Sequence, residues 1–151
     1  LGFLGADSTA LLGQTLTVAC FVIVPFILFG RLLVAVGASD VFDALGAKVS
    51  GRAPGGSGRV TIISSMLFGT VSGSAVANVM ANGAVTIGMM TRNGYSKEDA
   101  AAAEAVSSTG GQIMPPVMGA AAFIMAEYLK VPYSTIMVAA LLPALFFYGA
   151  I

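Results

Sequence analysis

Residues Thr70 to Asn82 read Thr-Val-Ser-Gly-Ser-Ala-Val-Ala-Asn-Val-Met-Ala-Asn and lie in the middle of Val60 to Thr91, a stretch without a single charge. Ser72, Ser74, Asn78 and Asn82 supply neutral oxygens there, and Gly73 interrupts them. A second group, Thr109-Gly110-Gly111-Gln112-Ile113-Met114-Pro115-Pro116, sets two more oxygen-bearing side chains, Thr109 and Gln112, around glycines and prolines that cannot continue a regular helix. Hydroxyl, amide and carbonyl oxygens suit hard cations such as Na+, which need neither thiol nor imidazole. A broken helix adds free N–H groups at the start of one half, which attract carboxylates, and free carbonyls at the end of the other, which attract cations. The chemistry expected of these two groups is therefore binding of an ion and an anion, with Na+ as the coupling ion and no cofactor.

The elements that would hold them follow from length. A continuous helix over 60–91 would extend roughly 48 Å, against a hydrocarbon core of about 30 Å. Two half-length helices meeting at the polar centre fit better, and broken helix survives in lipid only inside protein or beside a cavity. Basic residues flank both ends of the stretch: Arg52 and Arg59 before it, Arg92 and Lys97 after it. The positive-inside rule puts both flanks on the cytoplasmic side, which makes 60–90 a re-entrant hairpin. The competing reading is packing alone, since Gly69, Gly73 and Ala77 also form a small-residue face. For Gly110 to Pro116 the competing reading is an ordinary proline kink.

Composition sets the class. Hydrophobic residues make up 57% of the 151 and charged residues 9%, with a mean hydropathy of +0.92, where an ordinary soluble domain is about a quarter charged. An integral membrane protein in contact with lipid is expected. Seven basic and seven acidic residues balance, so no basic patch points to nucleic acid. The first residue is not Met and the last, Ile151, stands inside an apolar run, which suggests a fragment of a longer chain; no basic region precedes the first apolar run, so no cleavable signal peptide is visible.

Along the chain, the pattern predicts a span at about 14–37 containing Pro25, a cytoplasmic loop at 38–59 with a short interfacial helix near 39–49, the hairpin, a broken transmembrane helix at 97–128, and a further span at 133–151. Ser96 followed by Asp99 resembles a capping box that opens the helix at Lys97. The Gly-Gly-Ser-Gly run in the loop lacks the lysine and spacing of a phosphate-binding loop and reads as a linker. Cys20 and the eight methionines read as packing. Glu104, about seven residues into its helix, is either a proton- or substrate-linked group or a carboxylate paired with a nearby base. Arg31 is either an interface anchor or a substrate contact. Gly69-Thr70-Val71-Ser72-Gly73 superficially resembles a serine-protease nucleophile, but the chain has no histidine, and no lysine between Lys48 and Lys97. An enzyme is not expected.

The chain resembles the large membrane subunit of tripartite ATP-independent periplasmic (TRAP) transporters from about Gly13 to Tyr133. The resemblance runs through Pro25-Phe26-Ile27-Leu28-Phe29-Gly30, Phe68-Gly69-Thr70-Val71-Ser72-Gly73-Ser74-Ala75-Val76-Ala77-Asn78 and Arg92-Asn93-Gly94-Tyr95. Its most specific part is Ser107 to Glu127, including Ser-Ser-Thr-Gly-Gly-Gln-Ile-Met-Pro-Pro-Val-Met-Gly. Val117 after the two prolines is similar to the branch that works with a TAXI-type binding protein, where small and large membrane subunits are commonly fused; the dicarboxylate branch usually has serine there. The resemblance implies an all-α membrane fold, one half of an inverted-repeat, elevator-type symporter in the inner membrane of a prokaryote, using Na+ or H+ to take up small organic acids from an extracytoplasmic binding protein. It places Ser72, Ser74, Asn78 and Gln112 at the substrate, and Ser72, Gly73, Asn78, Thr109, Gly110 and Gly111 at Na+. The alternatives are a structural membrane-assembly subunit and a subunit of an ion-translocating enzyme complex.

Overall fold

The helix ends fall where backbone chemistry demands them. In the computed structural model, which describes residues 16–17, 19–50 and 56–151, a π-helical turn over Ala19–Ile23 runs directly into α1 (Val24–Ala35), and Pro25, with no N–H to donate, stands where the two join. α2 (Ala38–Ser50) follows. Residues 51–55 of the expected loop and positions 14, 15 and 18 of the first expected span lie outside the described residues.

α3 (Gly56–Ser72) stops at Gly73, whose φ of +57° lies in the left-handed region that favours glycine. Ser74 then caps α4 (Ala75–Arg92): its Oγ accepts the Ala77 N–H at 3.3 Å. The two helices thus form a helical hairpin with its tip at Ser72–Ser74. Asn93 and Gly94 close α4, and Ser96 opens α5 (Lys97–Gly110) by accepting the Asp99 N–H at 3.0 Å, with Glu98 and Asp99 in the first turn where the helix dipole favours them.

Past Gly110 the chain tightens into a run of i→i−3 turns, in which the N–H groups of Gly111, Gln112, Ile113 and Met114 donate to Ser108, Thr109, Gly110 and Gly111. Pro115 and Pro116 have no N–H to prolong it, and Met118 turns left-handed at φ 57°. Regular helix resumes at Ala120 as α6 (Ala120–Leu129), within the broken helix expected over 97–128. After Pro132, α7 (Tyr133–Ala150) completes the described chain.

α3 is the central element and packs against α2, α4 and α5; α7 packs on α6 and reaches α5. The side chains that are completely buried are mostly polar. Thr61, Ser64, Ser65, Asn78, Asn82, Thr86, Glu104, Ser107 and Ser108 are buried together with Phe68, Met90 and Ala100, while Phe21, Phe29, Leu32, Leu142 and Phe146 are exposed. This inverts the usual soluble arrangement. It is what a helical membrane protein does, keeping its hydrogen-bonding side chains against one another and its apolar ones toward lipid. By length and composition, one helix among the described residues, α7 with a mean hydropathy of 1.6, is long and apolar enough to cross a membrane.

Candidate functional site: two helix breaks around one cavity

The hairpin tip and the unwound segment meet backbone to backbone. A Cβ placed on Gly73 would lie 1.8 Å from the Met118 carbonyl oxygen, and one on Gly69 would lie 2.3 Å from the Gly111 Cα. Only glycine admits these approaches. The Val117 N–H donates to the Thr70 carbonyl at 3.2 Å, so an amide freed by one break satisfies a carbonyl freed by the other. The Gly119 N–H returns to the Gln112 carbonyl at 2.7 Å and closes the unwound loop on itself.

A cavity of about 590 Å³ opens beside this junction. Its polar lining comes from Ser72, Ser74 and Gln112, and its apolar wall from Ile23, Ile27, Met80 and Phe123. Arg31 of α1 is the one charged residue among the described residues of the lining. The first turn of α4, Ala75 to Ala77, and the start of α6, Gly119 and Ala120, also border it. Neither helix has an acidic residue in its first turn, and Gly119 offers α6 no side-chain cap. Two helix N-termini and a guanidinium border one volume, with no carboxylate among the described lining residues, a combination whose electrostatics favour an anion over a cation.

Of the residues singled out in the sequence for ion or substrate contact, Arg31, Ser72, Gly73, Ser74 and Gln112 come together on the cavity wall. The others lie off it. Asn78 is fully buried between α3 and its own helix, its Nδ2 donating to the Ser65 carbonyl at 2.8 Å and its Oδ1 accepting from Asn82 at 3.0 Å. Gly111 faces Gly69, so the small-residue face of α3 does serve packing at that position. Gly110 backs onto Phe147 and Tyr148 of α7. Thr109 is exposed and bonds its own helix at the Ala105 carbonyl, 2.7 Å away.

Several contributors carry no sequence signal. α7 holds the unwound segment through the Tyr133 hydroxyl, which donates to the carbonyls of Pro116, at 3.1 Å, and Val117. The Tyr133 ring stacks on Phe123 of α6 at 4.4 Å between centroids. Nothing local marks Tyr133 for this task. The walls from α1 and α6 are likewise set by tertiary packing.

Hairpin and interrupted helix sharing a cavity is the construction of secondary transporters, whose ion and substrate sites sit between helix breaks. Over residues 8–151 the chain matches the family described as "Tripartite ATP-independent periplasmic transporter, DctM component", and it belongs to that family. It is 34% identical over 113 residues to the 2,3-diketo-L-gulonate TRAP transporter large permease protein YiaN of Escherichia coli, covering 74% of this chain and 24% of that one. It is 37% identical over 91 residues, 60% of this chain and 14% of the other, to the isethionate TRAP transporter permease protein DctMQ of Oleidesulfovibrio alaskensis. With the C4-dicarboxylate TRAP transporter large permease protein DctM of Vibrio cholerae it shares 40% over 62 residues, 41% of this chain and 14% of that one. The matched part thus amounts to about a quarter or less of each of these relatives. No solved structure matches the chain.

Proposed function

We infer that the chain forms part of an ion-coupled permease of the inner membrane that takes up small organic acids, and that the cavity between the hairpin tip and the unwound segment is half of its transport site. The observation that carries this is the meeting of two helix N-termini and Arg31 around a volume bordered also by the C-terminal end of α3. An organic acid would present its carboxylate to the Ala75–Ala77 and Gly119–Ala120 amides and to Arg31. Na+ would sit against the oxygens of Ser72, Gly73 and Ser74, where α3 ends in carbonyl groups its own helix leaves free.

In this reading the hairpin α3–α4 is re-entrant, its tip reaching the midplane from the cytoplasmic side, and it moves with the α5–α6 crossing as one body between two exposures. An extracytoplasmic binding protein would deliver the substrate. A small membrane subunit would complete the permease, and the fused arrangement is supported by the likeness to the TAXI-associated branch around Val117 and by a relative whose name, DctMQ, joins two components.

The test is binding of radiolabelled sodium to the purified full-length permease. Saturable binding that falls at least tenfold in a Ser72→Ala, Ser74→Ala double variant, with folding intact, is the expected result. Binding that is absent from the wild type, or untouched by the double variant, refutes the tip as the ion site.

A further inference from the structure

Glu104 is fully buried in the middle of α5 and forms no ion pair among the described residues. Hydroxyls surround it instead. Thr86 Oγ1 of α4 is 2.6 Å from Oε2, while Ser108 Oγ at 2.9 Å and Ser65 Oγ of α3 at 3.4 Å approach Oε1. The Thr86 hydroxyl also lies 3.0 Å from the carbonyl of Asn82, one turn earlier in its own helix. It has one hydrogen for two acceptors. If that hydrogen goes to the Asn82 carbonyl, the short contact to Glu104 requires a hydrogen on Oε2. The same contact argues against a metal ion in the cage, because a hard cation stands about 2.0–2.6 Å from each oxygen it binds and spreads its ligands apart.

We propose that Glu104 is a reversible proton-binding site, built by α3, α4 and α5 behind the transport cavity and separate from the cation site at the hairpin tip. Protonation at Oε2 makes the carboxyl a donor to Thr86 Oγ1, whose own hydrogen turns to the Asn82 carbonyl. On release of the proton the Thr86 hydrogen swings back to Oε2, and Ser65 and Ser108 steady Oε1. One proton enters or leaves and one hydroxyl rotates. Next to Thr86 on α4, Asn82 keeps a buried Oδ1 with no hydrogen-bond partner, a spare acceptor within the same polar layer.

The ionisable groups around this layer are few. Asp43 of α2 accepts a hydrogen bond from Ser64, the neighbour of Ser65, and is near enough to Glu104 for their charges to repel. It is half-buried and offers the step from the surface to the interior. Tyr148 of α7 donates to the Ser107 carbonyl at 2.9 Å. Arg59, Arg92, Lys97, Glu98 and Asp99, at the ends of α3, α4 and α5, are exposed. Among the described residues, therefore, no cation is placed to hold Glu104 permanently ionised.

Proton binding itself does not depend on the transport reading; its use in coupling does. The experiment is difference infrared spectroscopy of the full-length permease in lipid, between acid and alkaline pH, with radiolabelled sodium binding measured on the same preparation. Expected is a protonated-carboxyl band that grows as pH falls, vanishes in Glu104→Gln, persists in Asp43→Asn and shifts in frequency in Thr86→Val. A spectrum unchanged by Glu104→Gln, or a Glu104 band that does not titrate, overturns the proposal. Should Glu104→Gln fail to fold, the Thr86→Val spectrum decides, and an unshifted band counts against the site. Absence of sodium binding beside an intact titrating band would remove the sodium site at the hairpin tip and leave the proton site standing.

Discussion

Gly69 of α3 and Gly111 of the unwound segment face each other with no side chain between them, so that a Cβ on Gly69 would meet the Gly111 Cα at 2.3 Å and one on Gly111 would meet the Gly69 Cα at 2.7 Å. Backbone contact this close makes two interrupted elements one rigid junction. Gly69→Ala must push the two backbones apart, at a cost of about 1–3 kcal/mol. Gly88, in the middle of α4, has nothing within 4 Å of its Cβ position. Gly88→Ala should instead stabilise by about 0.5–1 kcal/mol through helix propensity. Thermal unfolding of the two full-length variants should move in opposite directions, and a Gly69→Ala protein as stable as wild type would sink the junction.

Tyr133→Phe keeps the ring stacked on Phe123 and removes only the hydroxyl that serves Pro116 and Val117. The carbonyls of Pro116 and Val117 then lose the one hydrogen they share, costing about 1–3 kcal/mol. Faster amide exchange at Val117 and Gly119 than in wild type is the expected signature. Unchanged exchange there would mean that the unwound segment holds its shape without α7.

Asp43 lies on α2, in the stretch the sequence assigns to the cytoplasmic side. Burial pushes its carboxyl above the usual carboxylate range, the Ser64 hydrogen bond opposes this, and the Asp40 charge adds to the rise. The folded state therefore binds this proton more tightly than the unfolded chain does. Its stabilising contribution is complete below the unfolded value of about 3.9 and is lost as pH rises through the higher folded value. Asp43→Asn should accordingly raise the melting temperature at neutral pH, with the gain shrinking as the solution is acidified. A gain independent of pH would contradict the assignment.

Arg31 is the test of anion binding that leaves the two breaks untouched. Loss of a charge-assisted hydrogen bond is worth about 1.5–3 kcal/mol, or about tenfold to a hundredfold in affinity. Arg31→Gln should raise the apparent KM for an organic acid by that factor in full-length permease, with Arg31→Lys in between. An unchanged KM would return Arg31 to the role of interface anchor.

How much of this was legible in the sequence depends on the range over which each feature is determined. The breaks at Gly73 and at Gly110–Pro116 are local: glycine conformation and missing proline N–H groups act within a few residues. Which side chains face the cavity is not local. Asn78 lies four residues after Ser74 and lines a different surface, because α3 presses against that side of α4. The stripes Thr61-Ser65-Gly69 and Asn78-Asn82-Thr86, each at four-residue spacing, form buried faces of α3 and α4, but of these only Gly69, Asn78 and Asn82 stand out in the sequence itself. That these faces close over Glu104 required knowing that α5 completes the group. The contribution of Arg31 is further still from local, since some forty residues separate it from Ser72.

α7 makes polar contact on both sides of the interruption it spans: Tyr133 grips the carbonyls after the prolines, and Tyr148, fifteen residues on, grips the Ser107 carbonyl before the glycines. It therefore acts as a splint across a fracture. An unwound segment would ordinarily be the natural hinge of its crossing, but bending there would break bonds at one end of α7 or the other. The two bonds therefore oppose bending at the break and favour keeping its shape, whatever the rest of the protein does.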